Sequence, residues 1–160
     1  MGLTAINDAS LTDNSDLFGI ELNYNISNST LQSEALYNGN IASIYWKTKS
    51  DNVKRGYGYT YDNLSRIKQA TYATYNGTAW TGDADRYSVS NIDYDFNGNI
   101  KTLNREGMNG ESGGNPTFGN MDQLSYTYTG NKLTAVNDAI ADIASNPYDF
   151  SEKSVVEDGE

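Results

Sequence analysis

The chain alternates apolar and polar residues over short stretches that are bounded by turn-forming residues. The clearest stretches are IASIYWKTK (41–49), GYGYTYD (56–62) and SYTYT (125–129). Alternate side chains of an extended strand share a face, so Tyr57, Tyr59 and Tyr61 are expected on one face of their strand. Tyr126 and Tyr128 follow the same rule. Because Gly, Asn, Asp and Ser border these stretches, the pattern predicts strands joined by tight turns.

A short motif recurs four times and consists of a tyrosine, a polar turn and an aliphatic residue. The copies are YNGNI (37–41), YDNLSRI (61–67), YDFNGNI (94–100) and YTGNKL (128–133). The aliphatic anchors are 26, 33 and 33 residues apart, which indicates a repeat architecture. LTAIND (3–8) nearly recurs as LTAVND (133–138), so the first residues match the second strand of such a unit. The residues expected to carry the motif are Tyr37, Gly39, Ile41, Tyr61, Asp62, Arg66, Ile67, Tyr94, Asp95, Gly98, Ile100, Gly130 and Leu133.

The third copy shows why these residue types suit a hairpin. Asp95 stands at the first position of a type I turn, where its carboxylate can accept turn amides, and Gly98 stands at the fourth, where positive φ is tolerated. The chain is therefore predicted to be all-β and built of antiparallel β-hairpin repeats. Segments 76–91 and 106–123 are rich in Gly, Asn and Ser and are expected to be excursions from the sheet. Residues 138–160 are expected to be a poorly ordered tail or a short helix.

Composition excludes several classes of function. The net charge of -10 argues against nucleic acid, whose phosphates need a basic surface. The absence of Cys and His removes disulfides, thiolate chemistry, the Ser-His-Asp triad and most transition-metal sites. No apolar run approaches the roughly 18 residues of a membrane span. The sequence therefore predicts neither a nucleic-acid-binding nor a membrane-spanning protein.

The repeated motif resembles the YD motif of the Rhs/YD-repeat family. Tyr61-Asp62 with Arg66-Ile67, and Tyr94-Asp95 with Gly98-Asn99-Ile100, are similar to its Y-D-x-x-G-[RN]-L pattern. The resemblance extends from Leu3 to about Phe150. It implies a curved ribbon of hairpins that forms part of a large hollow shell. In bacterial polymorphic toxins, toxin-complex cocoon proteins and teneurins, such a shell encloses or displays a C-terminal segment, often a toxin.

The resemblance also implies a place and partners for residues 1–160, taken as a single repeat segment of a longer shell. The expected setting is an exported bacterial protein, extracellular or at the cell surface. The expected partners are the remaining repeats, a C-terminal toxin cargo, and secretion or folding machinery. The chain departs from the family pattern where Ser65 replaces the turn glycine and where Asn38 and Thr129 replace the aspartate, so those turns are expected to be looser. The only prolines, Pro116 and Pro147, both follow asparagine, so the self-cleaving D-P-x-x-G-L element of the family is missing.

A calcium site is an alternative interpretation of DYDFNGNIKTLN (93–104). Asp93, Asp95, Asn97 and Gly98 match the opening of an EF-hand loop, but the bidentate Glu required at its twelfth position is Asn104. Turn chemistry explains Asp95 and Gly98 better, which leaves Asp93 as the residue to inspect for a cation. No cofactor is expected, and calcium is the only metal that the sequence brings into consideration. Asp93 and Asp95 could instead form a catalytic pair, but no pocket-forming element can be recognised around them.

The aromatic stripes suggest a second class of function, a surface carbohydrate-binding or adhesin module. Trp46 and Trp80 could join the tyrosines in stacking on sugar rings. The competing interpretation is that tyrosines of period two pack the inward face of a sheet. The sequence favours this structural role and a non-enzymatic protein.

Overall fold

The chain folds into antiparallel β-hairpins. The computed structural model describes residues 2–13, 15–82 and 86–141, and these form ten β-strands and no helix. The all-β prediction with antiparallel hairpins is therefore confirmed. No helix among the described residues is long and apolar enough to span a bilayer. The chain divides into two compact units, Met1–Ala84 and Asp85–Glu160.

The first unit is an antiparallel sheet in which strands adjacent in sequence pair with each other. In order they are β1 (Ala5–Ile6), β2 (Phe18–Asn23), β3 (Ser43–Thr48), β4 (Lys54–Tyr61), β5 (Ile67–Tyr75) and β6 (Trp80–Gly82). The predicted strands 41–49 and 56–62 correspond to β3 and β4. Such meandering order needs only short connections, which the turn residues of the sequence supply.

One face of this sheet is covered by the chain's own connections. Ala9 and Leu31, from the connections before β2 and before β3, are 2% and 0% exposed and pack with Tyr45 and Ala73 of the sheet. Gly58 lies directly under this layer, since a side-chain carbon there would be 2.1 Å from the carbonyl oxygen of Leu31. The alternation of glycine and tyrosine in GYGYTY thus lets the backbone of residue 31 approach one face while tyrosines occupy the other.

The second unit is a four-stranded meander dominated by one long hairpin. Its strands are β7 (Val89–Tyr94), β8 (Ile100–Ser112), β9 (Asn115–Thr129) and β10 (Lys132–Asp138). Of its described residues, the buried hydrophobic ones are Ile92, Met121 and Leu124. The fully buried Asp122 pairs with Arg105 across β8 and β9.

Two expectations about irregular segments are wrong. Residues 106–123 are not an excursion, because they form the distal half of the β8–β9 hairpin. Gly113 and Gly114, with φ of 60° and 79°, make the two-residue turn that closes it. Segment 76–91 is partly strand as well, since β6 and the start of β7 lie within it.

The expected tail does not begin at residue 138. Asp138 is the last residue of strand β10 and lies opposite Leu124, so it takes no part in a helix. Residues 139–141 follow the strand without helical structure. The remainder of the predicted tail, 142–160, lies outside the described residues.

Candidate functional site

The turn at Asp95 is a three-residue hairpin loop held by the aspartate. The backbone N–H of Asp95 donates to the carbonyl of Asn99 at 2.9 Å, and that of Gly98 donates back to Asp95 at 3.1 Å. Oδ1 of Asp95 accepts the backbone N–H groups of Asn97 at 2.8 Å and Asn99 at 2.9 Å. Gly98 has φ of 89°, the left-handed conformation that this bulged hairpin turn requires. The predicted turn roles of Asp95 and Gly98 correspond to this geometry.

The turn at Asp62 has the same hydrogen bonds. Asp62 donates to the carbonyl of Arg66 at 2.9 Å and accepts the N–H of Ser65 at 3.0 Å. Its Oδ1 accepts the backbone N–H groups of Leu64 and Arg66, each at 2.9 Å. Ser65 stands where Gly98 stands in the other turn, and its φ is 61°. The expectation of a looser turn here is therefore wrong, because Ser65 takes the left-handed conformation and the hydrogen bonds are kept.

Both aspartates use their second carboxylate oxygen as well. Oδ2 of Asp62 accepts a hydrogen bond from Nε of Arg66 at 2.7 Å, and Oδ2 of Asp95 accepts one from Nδ2 of Asn99 at 2.8 Å. The backbone N–H of Arg66, with its side chain adding to the effect, lowers the pKa of Asp62. The side-chain amide of Asn99, followed by turn amides, lowers the pKa of Asp95. Both groups are thus fixed as charged caps of a turn.

The other two motif copies use different connections. In the fourth copy Thr129 pairs with Lys132, and Gly130, with φ of 61°, begins a two-residue hairpin turn that needs no aspartate. In the first copy Tyr37 does not lie in a strand and is 85% exposed. Gly39 turns the chain with φ of 92°, but the segment leads into β3 as a loop, so the hairpin predicted for 37–41 is not formed.

A tyrosine hydroxyl links successive repeats, a feature that sequence reasoning missed. The hydroxyl of Tyr61 donates to the carbonyl of Ile41, the anchor of the preceding copy, at 2.8 Å. The hydroxyl of Tyr128 donates to the carbonyl of Ile100, again the anchor of the copy before it, at 2.9 Å. Tyr24 makes the equivalent bond to Leu3 at 2.9 Å, and Leu3 corresponds to anchor Leu133 in the LTAIND similarity. Three tyrosines therefore each hold the backbone of an earlier anchor residue.

The aliphatic anchors contribute less to the core than their pattern suggests. Ile67 is 37% and Leu133 is 42% exposed, and Ile41 and Ile100 are only half-buried. At Ile41 and Ile100 the backbone carbonyl is the group that the next copy contacts. The motif thus encodes a backbone contact more than a hydrophobic one. The sequence signal for this contact was the tyrosine that precedes the turn in every copy.

The residues of the calcium interpretation are not directed to a common point. Asp93 is exposed on β7, and its Oδ2 lies 3.5 Å from Nζ of Lys101, which gives it the partner that the sequence did not assign. Asp95 turns both carboxylate oxygens to the N–H donors of its own loop, among them the backbone N–H of Asn97. Among the described residues no group of three or more Asp or Glu side chains is placed to hold a metal ion.

The two tryptophans of the carbohydrate interpretation lie on opposite faces of the first unit's sheet. Trp80 packs on the covered face, 4.6 Å from Tyr45 and 5.4 Å from Tyr75 between ring centroids. Trp46 follows Tyr45 in β3 and therefore points the other way, where it stacks on Tyr57 at 5.6 Å. The two rings cannot contact one sugar together, and Trp80 has a packing role.

An aromatic patch lies on the opposite face of this sheet, where its member Tyr72 is only 4% exposed. It consists of Trp46, Tyr57, Tyr59 and Tyr72, with neighbouring ring centroids 5.5–6.4 Å apart. Tyr57 and Tyr59 stack along β4, which agrees with the predicted stripe. Burial, with a smaller contribution from Tyr61, raises the pKa of Tyr59 to about 12, so its hydroxyl stays protonated.

Comparison with known proteins does not assign a family to this chain. No family model, curated protein or solved structure matches this chain. What the geometry defines is an antiparallel hairpin protein with aspartate-capped turns and tyrosine bonds between successive motif copies.

Proposed function

We propose that this chain is a non-enzymatic structural segment of an exported Rhs/YD-repeat protein, extracellular or at the bacterial cell surface. Its role is to form part of a curved β-shell that encloses or displays a C-terminal toxin or effector. Its partners are then the remaining repeats of the shell, the cargo, and the machinery that secretes or folds it. The residues of the YD turns act mechanically, by holding hairpins in register.

The bond from a motif tyrosine to the anchor carbonyl of the preceding copy carries this proposal. Tyr61 reaches back to Ile41, and Tyr128 reaches back to Ile100. A backbone carbonyl accepts this bond whatever side chain the anchor bears, so the contact repeats without demanding a particular packing. A hydrogen bond thereby joins each repeat to the preceding one, and an extended β-shell requires such contacts between successive repeats.

The carboxylates that could have suggested catalysis support the same role. Both oxygens of Asp62 and both of Asp95 accept hydrogen bonds within their own turns. A carboxylate engaged in this way has a lowered pKa and is a poor general base near neutral pH. The turn aspartates therefore fit a cap better than an acid–base pair.

The native reading frame and the location of its product test the proposal. We expect further YD-type repeats in the same frame and a distinct C-terminal domain beyond them. We also expect that protease added to intact producing cells degrades the tagged protein while a cytoplasmic marker survives. A frame that ends without further repeats, or a protein protected inside intact cells, would contradict the proposal.

A carbohydrate-binding or adhesin module is the second candidate, and the aromatic patch of Trp46, Tyr57, Tyr59 and Tyr72 favours it. Trp46 is half-buried and stacks on Tyr57, so part of its ring is exposed. Saturable binding in a glycan panel that Trp46→Ala removes would support this function. Tyr37→Ala is the matched control, because Tyr37 is exposed and lies outside the patch. No saturable binding is expected if the chain is only a wall segment.

A further inference from the structure

One heptapeptide occurs twice in the chain and is held in two different ways. Residues 3–9 read LTAINDA and residues 133–139 read LTAVNDA, so six of seven positions are identical and Ile6 is replaced by Val136. The first copy contains β1, and the second copy contains most of β10. What the first copy binds therefore indicates what the second can bind.

The first copy binds along strand β2. Ala5 lies opposite Glu21 and Ile6 opposite Ile20, and the N–H of Leu22 donates to the carbonyl of Thr4 at 2.8 Å. In this antiparallel register Thr4 and Ile6 are the residues whose backbone groups point toward β2. Nδ2 of Asn7 adds a hydrogen bond to the carbonyl of Phe18 at 2.8 Å.

The end of the first copy then passes over β2 and becomes buried. Oδ1 of Asp8 accepts the N–H of Ser10 at 2.8 Å, which turns the chain toward the sheet. A side-chain carbon at Gly19 would lie only 2.1 Å from the carbonyl oxygen of Asp8, so only glycine allows this crossing. Ala9, directly after it, is 2% exposed in the core of the first unit.

From Ala135 onward, after a bulge at Thr134, the second copy presents the same backbone alternation on an outer edge. The N–H of Ala139 donates to the carbonyl of Gln123, so in this register Asn137 and Ala135 are the residues that bond to β9. The backbone groups of Val136 point away from β9, whereas its counterpart Ile6 uses the same groups to pair with β2. Among the described residues β10 pairs on its β9 side only.

The turn after β10 is also shared with the first copy. Oδ1 of Asp138 accepts the N–H of Ile140 at 2.9 Å, as Asp8 accepts that of Ser10. Ala139 is exposed, whereas its counterpart Ala9 is buried. The second heptapeptide thus has the hydrogen-bonding pattern and the turn of the first copy, but its alanine is not covered.

We propose that the outer edge of β10 binds strand β2 of a second copy of this chain, in the register that residues 3–9 use within one chain. Val136 then lies opposite Ile20 of the second copy, and Ala135 lies opposite Glu21. An extended strand added to an open edge is a common mode of protein recognition.

Within one chain, β1 already occupies the edge of β2 that β10 would bind, but β1 is short. β1 contributes two residue pairs to β2, whereas β10 is regular from Ala135 to Asp138 and in the same register places four residues opposite Phe18–Glu21. Asn7 has φ of 54°, which ends β1 after Ile6, while no residue of β10 has positive φ.

The contact is heterologous, with β10 of one copy against β2 of the next, so it generates open-ended chains unless the rotation closes a ring. The pairing requires neither export nor a toxin, so its failure and that of the proposed function are distinguishable.

Disulfide trapping in this cysteine-free chain tests the register. Ala5 and Glu21 are a directly opposed pair outside the hydrogen-bonded positions, where side chains of neighbouring strands come closest. An equimolar mixture of the Ala135→Cys and Glu21→Cys proteins is oxidised under mild conditions. We expect a heterodimer enriched several-fold over that of the control mixture, Ala135→Cys with Leu22→Cys, which places the sulfurs on opposite faces. Equal yields from the two mixtures would overturn the proposal.

Sedimentation velocity of the full chain and of two variants tests the edge itself. Deleting residues 2–6 removes β1 from β2, so this variant is expected to self-associate more strongly than the full chain. Adding Val136→Pro removes the outward N–H of β10 without removing a bond to β9, and is expected to abolish that gain. Association unaffected by the deletion, or unaffected by Val136→Pro in the deletion background, would overturn the proposal.

Discussion

The Asp62 and Asp95 turns are two versions of one structure built from different residues. Each aspartate bonds to the backbone at both ends of its loop and accepts two turn amides on Oδ1. The left-handed position is Ser65 in one turn and Gly98 in the other. The donor to Oδ2 is a charged side chain, Arg66, in one turn and a neutral side chain, Asn99, in the other.

This difference separates what the turn requires from what it tolerates. The aspartate is common to both turns, so its carboxylate is the element that organises the loop. Glycine relieves strain in the left-handed position, but Ser65 shows that a side chain is accepted when the cap is complete. The second oxygen accepts a hydrogen bond from whichever donor follows the turn.

Acidification is expected to have the largest effect, because it acts on several carboxylates together. The pKa values of Asp8, Asp13, Asp51, Asp62 and Asp95 are all lowered from 3.8 in the folded chain, mainly by hydrogen bonds to the charged form. A lowered folded-state pKa means that the stabilisation is fully present above the unfolded value and is lost as pH falls through the folded value. The urea midpoint is therefore expected to fall between about pH 4 and pH 2.

Asparagine variants show whether the two turns share this loss. For Asp62→Asn and Asp95→Asn, the difference in unfolding free energy from the wild type is expected to shrink as pH falls below 3.8. Added salt is expected to reduce the contribution of the Asp62–Arg66 ion pair and to leave the neutral Asp95–Asn99 contact nearly unchanged. A difference that stays constant over the same pH range would contradict the role of charge in both turns.

Gly98→Val is expected to destabilise its hairpin by about 1–2 kcal/mol, because a β-branched residue is strained at the left-handed φ of 89°. Thermal or urea unfolding measures the change. Phe96→Val is the matched control in the same loop, since Phe96 is exposed and does not have positive φ. Equal unfolding free energies for Gly98→Val and wild type would show that residue 98 does not need the left-handed conformation.

Exchanging the two left-handed residues tests the equivalence of the turns directly. Ser65→Gly is expected to stabilise the chain by up to about 1 kcal/mol, and Gly98→Ser to destabilise it by a similar amount. The double variant is then expected to lie close to wild type, since changes in separate turns add. Two shifts of the same sign would mean that the turns differ in more than the identity of one residue.

The sequence predicts this fold well where local chemistry decides it. Alternating tyrosines predicted β4, and the Asp95–Gly98 spacing predicted a hairpin turn, because strand alternation and turn capping depend on near neighbours. The error at residues 106–123 came from composition. Gly and Asn made that segment look irregular, although Gly113-Gly114 is itself a signal for a two-residue hairpin.

The candidate site was less predictable because its contacts lie far apart in sequence. A tyrosine's hydroxyl partner depends on the register of strands separated by 20 to 28 residues, as for Tyr61 and Tyr128. The placement of Trp46 and Trp80 on opposite faces likewise required the pairing of β5 with β6. For Asp93 the partner Lys101 came from the β7–β8 register, which the motif alone did not specify.

Removing single hydroxyls is expected to have the smallest effect and tests whether the repeat contact has the same strength in both units. Tyr61→Phe and Tyr128→Phe each delete one bond to an anchor carbonyl while retaining the ring, so each is expected to cost about 1 kcal/mol of unfolding free energy. Tyr37→Phe is the control, since Tyr37 is exposed and belongs to the copy that forms no hairpin. Tyr61 precedes an aspartate-capped loop and Tyr128 precedes a two-residue turn. Equal losses of unfolding free energy would therefore mean that the hydroxyl bond stabilises each junction independently of turn type. A loss confined to Tyr61→Phe would instead make the aspartate cap and the tyrosine bond a single cooperative unit, and the motif would then be the whole Tyr-Asp pair.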